Sequence, residues 1–133
     1  NPTGITLCDD DFQKCTSKGH DIRYMDMSFL DFEDGYFDIV WARQCLEHSL
    51  IPFFTLYELH RVLKRGGWIY VEVPSPNTTN GHEYDPNHYS VFDYKMWHML
   101  MVRVGFENVK IEALDFECAR GEDIYYRLIG YKL

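Results

Sequence analysis

The chain has 133 residues, enough for one hydrophobic core and too few for two, so a single domain is expected. Its net charge of −8 repels a phosphate backbone and argues against nucleic acid as a partner. Apolar residues make up 46% and charged residues 26%; no apolar run is long enough to span a membrane and no signal-peptide pattern opens the chain, so no membrane partner is expected. Cys8, Cys15, Cys45 and Cys118 form no C-x-x-C pair and match no zinc spacing, which points to reduced thiols in a cytoplasmic protein.

Strands and helices alternate along the chain, the pattern of a parallel α/β sheet. Gly4 to Leu7 is a β-prone run. Asp9, Asp10 and Asp11, then Phe12 to Ser17, Lys18 and Gly19 suit a short helix and its dipole, with acids at the front, a lysine at the back and a glycine stop. Asp21 to Met25 predicts a second strand and residues 29–36 an acidic loop. Phe37 to Ala42 predicts a third strand, apolar enough to be covered on both faces. A helix begins near Pro52, buries Leu56, Leu59 and Leu63 on one stripe, carries Lys64 and Arg65 in its last turn and stops at Gly66-Gly67. Trp68 to Val73 reads as a fourth strand ended by Pro74. The polar segment 75–90 is long for a connection and is expected to be functional. Ser90 with Asp93 suggests a capping box, with Asp in place of Glu. The helix behind it runs to Val104 on an apolar face of Met96, Trp97, Leu100 and Met101, and ends at Gly105. Phe106 to Leu114 and Ile124 to Leu133 read as closing strands.

Ligands of open parallel sheets bind beyond the carboxyl ends of the strands. After the first strand stand Thr6, Leu7 and the Asp9–Asp11 cluster, whose carboxylates either accept from ribose hydroxyls or cap the helix. After the second, Asp26 is placed to accept an exocyclic amine of adenine, with the Met27 amide donating to a ring nitrogen, or Asp26 is an exposed turn acid. After the third, small Ala42 is followed by Arg43, Gln44, Cys45, Leu46, Glu47 and His48; Glu47 and His48 also suit helix-end amides. His82, Glu83, Asp85 and His88 are metal-ligand types in the 75–90 loop, but their spacing fits no signature and no metal is expected. No Ser-His-Asp or Cys-His arrangement and no phosphate-cradling glycine loop is legible.

These features line up, in order, with one family. Residues 26–40, DMSFLDFEDGYFDIV, resemble the "D-x-x-x-L-P-F-x-D-x-x-F-D-x-V" segment of type 11 class I S-adenosylmethionine-dependent methyltransferases. Residues 45–48, CLEH, resemble their "L-E-H" turn. Residues 58–67, ELHRVLKRGG, resemble "E-x-x-R-V-L-K-P-G-G", with Arg65 where proline is usual. Residues 71–74, VEVP, resemble the strand end that follows, and His88-Tyr-Ser-Val and Gly105-Phe106 resemble the later "H-x-x-x-F-S" and "A-G-F" region. The resemblance runs over about residues 4 to 112.

It implies a Rossmann-like three-layer α/β sandwich with a mostly parallel sheet, and transfer of a methyl group from S-adenosyl-L-methionine to a small-molecule substrate. Gly4 to Leu7 resembles the "G-x-T-L-S" form of the second family strand, as in cyclopropane fatty acid synthases. By that resemblance Thr6, Leu7 and Asp11 lie along the ribose, Asp26 and Met27 at the adenine, and Ala42 and Arg43 beside the methionine part and sulfonium. His48, Pro74, Asn77, His88 and Tyr89 face the acceptor, with His48 or His88 as the base.

The family begins with a strand and a G-x-G-x-G loop, and neither precedes Gly4 here. The domain is therefore read as N-terminally incomplete, with activity belonging to the intact parent protein. The rival reading is a truncated or degenerate domain without catalysis. A nicotinamide-dependent dehydrogenase has less support, because no G-x-G-x-x-G is present. In the family sheet order 3-2-1-4-5-7-6 the lost strand separates Gly4–Leu7 from Phe37–Ala42. Two outcomes are expected to close that gap: Gly4–Leu7 slides in beside Phe37–Ala42, or two chains complete each other's sheets in a homo-oligomer.

Overall fold

The computed structural model describes residues 1–133. Strand β1 (Thr3–Thr6) leads into helix α1 (Asp9–Ser17), whose first turn is acidic, and on to β2 (Asp21–Tyr24). β1 and β2 pair in parallel from Thr3 opposite Asp21 to Thr6 opposite Tyr24. The Met25 amide extends the ladder by donating to the Thr6 carbonyl at 3.1 Å. The three aspartates occupy the first turn of the helix, as expected, where the dipole favours them.

Four further strands build a second sheet in the order β3-β4-β6-β5. β3 (Phe37–Arg43) lies parallel to β4 (Leu63–Pro74). β6 (Gly121–Tyr131) runs antiparallel to β4, and β5 (Glu107–Cys118) antiparallel to β6. Both closing strands are longer than expected and meet in a hairpin where Cys118 pairs with Gly121.

β1 pairs with β2 and not with β3, so Gly4–Leu7 does not slide in beside Phe37–Ala42. The physical reason is local. Sliding β1 means breaking its ladder to β2 or moving β2 as well, and the segment after β2 is anchored. Ser28 Oγ and Thr55 Oγ1 lie 2.7 Å apart, and the Leu30 amide donates to Glu58 Oε2 at 3.1 Å. Ile5, Met25 and Met27 pack against the main core from the β1–β2 side.

Helix α2 (Pro52–Val62) opens with Pro52 in its first turn and buries Leu56, Leu59 and Val62. It stops earlier than the glycine pair implies. Leu63 is extended, with φ −74° and ψ 139°, and begins β4, so Lys64 and Arg65 lie on a strand. The helix-end carbonyls are captured from elsewhere. Gly35 and Tyr36 amides donate to the Arg61 and Val62 carbonyls, and Lys132 Nζ donates to those of His60 and Arg61. Between the Phe37–Leu63 and Ile39–Trp68 pairs the register shifts, and Gly66 takes a positive φ of 82° in the bulge.

Helix α3 (Tyr94–Val104) is capped by Asp93, whose Oδ1 accepts the Met96 amide at 2.8 Å. Ser90 is not part of a capping box; its hydroxyl donates to the Ser49 carbonyl at 2.6 Å. Gly105 ends α3 with φ 118°. α2 and α3 cover one face of the sheet: Leu56, Leu59, Val62, Trp97 and Met101 meet Ile69, Val71, Val73 and Leu128 in the core. The third strand is not covered on both faces as its apolar run implies. Ile39 is 50% exposed and Trp41 62%, with Trp41 stacked on Tyr70 at 3.9 Å between ring centroids. No helix is long and apolar enough to cross a membrane.

Candidate functional site

At the carboxyl end of β3 the chain turns through a 3₁₀ turn, Leu46–His48. The 75–90 loop folds back over this turn. The Glu47 carbonyl accepts the amides of Tyr89 at 2.8 Å and Ser90 at 3.0 Å. These bonds carry His88 to His48, forty positions away in sequence, with ring centroids 4.9 Å apart and ring planes crossed at 71°. His48 Nδ1 lies 2.8 Å from the Asn87 carbonyl, and His88 Nδ1 lies 2.8 Å from the His82 carbonyl. A carbonyl only accepts, so each Nδ1 carries a proton, and in the neutral ring Nε2 then presents a lone pair.

Beneath the rings lies Glu47, 3% exposed. Burial pushes its carboxyl above the usual range, opposed by its own backbone amide and by the neighbouring His48 and His88. Burial also pushes the Cys45 thiol up to about 12, with Glu47 adding to the shift, so this thiol stays protonated and unreactive.

The loop has its own anchor on β6. Asp123, 2% exposed, accepts from Asn80 Nδ2 at 2.6 Å, His82 Nε2 at 2.9 Å and the Ile124 amide at 2.9 Å. Burial works against the Asp123 charge, but the bonds from His82 and Asn80 outweigh it and hold its carboxyl below the usual range. A matching brace closes β3. Glu72 accepts from Tyr70 Oη at 2.7 Å, Arg43 Nε at 3.0 Å and Gln44 Nε2 at 3.1 Å. Burial opposes the Glu72 charge, and those three bonds together keep its carboxyl low. Gln44 takes a positive φ of 51°, and its amide donates to the Glu72 carbonyl at 2.8 Å.

The residues expected to meet an adenosyl group fall at the ends of two paired strands. Thr6 Oγ1 accepts the Cys8 amide, and Leu7 is exposed with its carbonyl taking the Tyr24 hydroxyl. Asp11 is exposed near the start of α1. Asp26 Oδ1 accepts the Ser28 amide at 2.8 Å, and Met27 is half-buried against the core. At the end of β3 the Ala42 side chain is buried in the core, while Arg43 reaches Glu72.

Of the expected acceptor-facing residues, the structure brings together His48, His88 and the backbone of Tyr89. Pro74 is buried in β4 opposite Tyr125, and Asn77 shares a shallow groove with Pro76, Phe92 and Met96. Glu47, Glu72 and Asp123 are absent from the expected site residues. Their burial is what makes them matter, and an acid in a short sequence window carries no sign of it.

A family profile described as a methyltransferase domain matches residues 2–71, just over half of the chain. The chain belongs to this methyltransferase family. No curated protein matches it. Among solved structures, an S-adenosylmethionine-dependent methyltransferase from Archaeoglobus fulgidus superposes with a TM-score of 0.84 at 20% identity, over 98% of this chain and 75% of that one. A methyltransferase from Thermotoga maritima, described as a possible histamine N-methyltransferase, gives 0.80 at 21% identity over 98% and 72%. Phosphoethanolamine N-methyltransferase 2 of Haemonchus contortus, in complex with S-adenosyl-L-methionine, gives 0.79 at 14% identity over 98% and 43%.

The fold is therefore the Rossmann-like one the motifs imply, with the strand order β2-β1 and β3-β4-β6-β5 in two sheets. At the β1–β2 end, Asp26 holds the Ser28 amide through Oδ1.

Proposed function

We propose that the chain is a methyltransferase domain whose protein transfers a methyl group from S-adenosyl-L-methionine to a small-molecule acceptor in the cytoplasm. The observation that carries this reading is the methyltransferase fold, with Asp26 just beyond β2 and the His48–His88 pair beyond the end of β3. When bound, the cofactor supplies a methyl carbon on a sulfonium, already a good electrophile.

The chain's residues bind and align. Asp26 accepts the adenine amine and Met27 packs on the ring. Thr6, Leu7 and Asp11 line the ribose, and Ala42 and Arg43 pass the methionine part. His48, His88, Pro74, Asn77 and Tyr89 border the acceptor. Much of the rate comes from positioning for in-line attack. If the acceptor atom is a hydroxyl or amine, the Nε2 lone pair of His48 or His88 receives its proton. The acceptors named for two of the structural relatives are small amines, which supports an acceptor of that size.

Calorimetric titration with S-adenosylhomocysteine tests the reading. Asp26→Ala should weaken binding by about 1–3 kcal/mol, the cost of leaving a buried amine unpaired. Unchanged affinity in the variant removes Asp26 from the site. A second reading, a methyltransferase fold without catalysis, is favoured by one observation: β1 and β3 do not pair, and each keeps an edge without a strand partner. Those edges also suit pairing with a second copy of the chain. Light scattering checks this: a mass twice that of the chain supports it, and a monomer at all concentrations removes it.

A further inference from the structure

We propose that Glu47, His48 and His88 form a binding site for a divalent transition cation of the zinc or cobalt type. One potential ligand atom from each of the three lies within 4.8 Å of the other two. This reverses the expectation of no metal, which rested on sequence spacing. The ligands come from two segments forty residues apart and meet only because the Glu47 carbonyl binds the Tyr89 and Ser90 amides.

Three observations point to a cation rather than to a self-contained polar cluster. First, the closest approach between Glu47 and His48, Oε1 to Nε2, is 4.0 Å, too long for a hydrogen bond. Second, Glu47 Oε2 is fully buried and has no hydrogen-bond partner, although the side chain is only 4% exposed. An orphaned buried acceptor is costly and asks for an electrophile. Third, both imidazoles are already held as ligands are held. Each Nδ1–H is bonded to a backbone carbonyl at 2.8 Å, which fixes the ring's orientation and leaves Nε2 as its free nitrogen, that of His48 standing 4.0 Å from Glu47 Oε1.

The support behind the ligands is rigid. Asp123 grips His82, whose carbonyl orients His88, and Ser90 is pinned to the Ser49 carbonyl. His48 is 45% exposed, so the site has an entry. Asp85 Oδ2 stands 4.0 Å from His88 Nε2, within reach as a further oxygen ligand after a small rotation. Two neutral imidazole nitrogens and one carboxylate suit zinc, cobalt or iron(II), whereas magnesium and calcium prefer oxygen alone. Three protein ligands leave at least one coordination position open for water or an acceptor atom. With the cation in place both Nε2 lone pairs are engaged, and the histidines act as ligands instead of proton acceptors. The site is built wholly from the end of β3 and the 75–90 loop, so it does not depend on cofactor binding.

The test is a cobalt(II) titration of the chelator-treated chain, followed by visible absorption and calorimetry, with zinc(II) as competitor. One equivalent should bind and give a ligand-field band that zinc abolishes. Glu47→Gln and His88→Ala should each weaken binding by more than about 100-fold, beyond the 10- to 100-fold typical of supporting residues alone. His20→Ala, on an exposed histidine elsewhere, should change nothing. A circular-dichroism melt of each variant separates lost ligation from lost folding, and Glu47→Gln keeps the side-chain shape. No saturable cobalt binding overturns the proposal. So does binding that survives unchanged in folded Glu47→Gln.

Discussion

Arg61 illustrates how single side chains hold this fold together. Its Nε and Nη2 grip both oxygens of Glu58 at 2.7 and 3.0 Å. Its Nη1 and Nη2 also donate to the carbonyls of Phe32 and Leu30, so the acidic loop is docked on α2. The bond from Arg61 holds the Glu58 carboxyl below the usual carboxylate range. A depressed folded pKa means that this contribution is fully present above the ordinary Glu value and is lost as pH falls through the folded one. Glu58→Ala should cost about 3 kcal/mol, because it leaves a mostly buried guanidinium without its main partner. In denaturant melts the stability gap between wild type and Glu58→Gln should narrow below about pH 4, near the ordinary Glu pKa. A gap constant from pH 7 to pH 3 would show that the Glu58 charge contributes nothing. Resemblance pointed to His48, His88 and Asp26 from the sequence. Asp123 was not legible, because its partners Asn80 and His82 lie about forty residues away and only the β4–β6 pairing brings them together.

At the scale of elements, the periodic ones were read correctly and their ends less well. α3 ends at Val104 with Gly105 behind it, as its apolar spacing and glycine imply. α2 does not end at its glycines, because a tertiary interaction outcompetes the local stop signal: the Gly35 and Tyr36 amides and Lys132 take its last carbonyls. The glycine pair serves the β4 bulge instead. A Cβ on Gly67 would sit 2.8 Å from the Asp38 carbonyl oxygen and 2.9 Å from that of Lys64, both backbone atoms that cannot turn away. Gly67→Ala should therefore destabilise the β3–β4 junction by roughly 1–3 kcal/mol, measurable in urea melts, as overpacked sites do. A neutral outcome would mean that the bulge adjusts freely. The buried stripe of α2 gives a second check. Leu59→Ala should cost roughly 2–5 kcal/mol. Asp34→Ala removes only an ion pair whose acid is 81% exposed and should cost less than about 1 kcal/mol. Equal shifts in melting temperature would mean that α2 packs through another face.

The whole molecule is two sheets joined by packing and by a few polar ties. β4 has strand partners on both sides, whereas β1 and β2 pair only with each other. Hydrogen exchange should rank them accordingly, with the β4 amides slowest and those of β1 and β2 faster. Equal protection would indicate one cooperative unit. The strand order was legible through resemblance, but the loss of cover over Ile39 and Trp41 was not, since apolar content alone does not show which face has a neighbour. The central claim is that the ends of β1, β2 and β3 receive an adenosyl group. Amide chemical shifts followed by NMR during titration with S-adenosylhomocysteine test it most directly. The account predicts saturable shifts at Leu7, Met27 and Arg43, with Val102 and Arg103 on α3 unmoved. No shifts at saturating ligand, or shifts confined to α3, would contradict it.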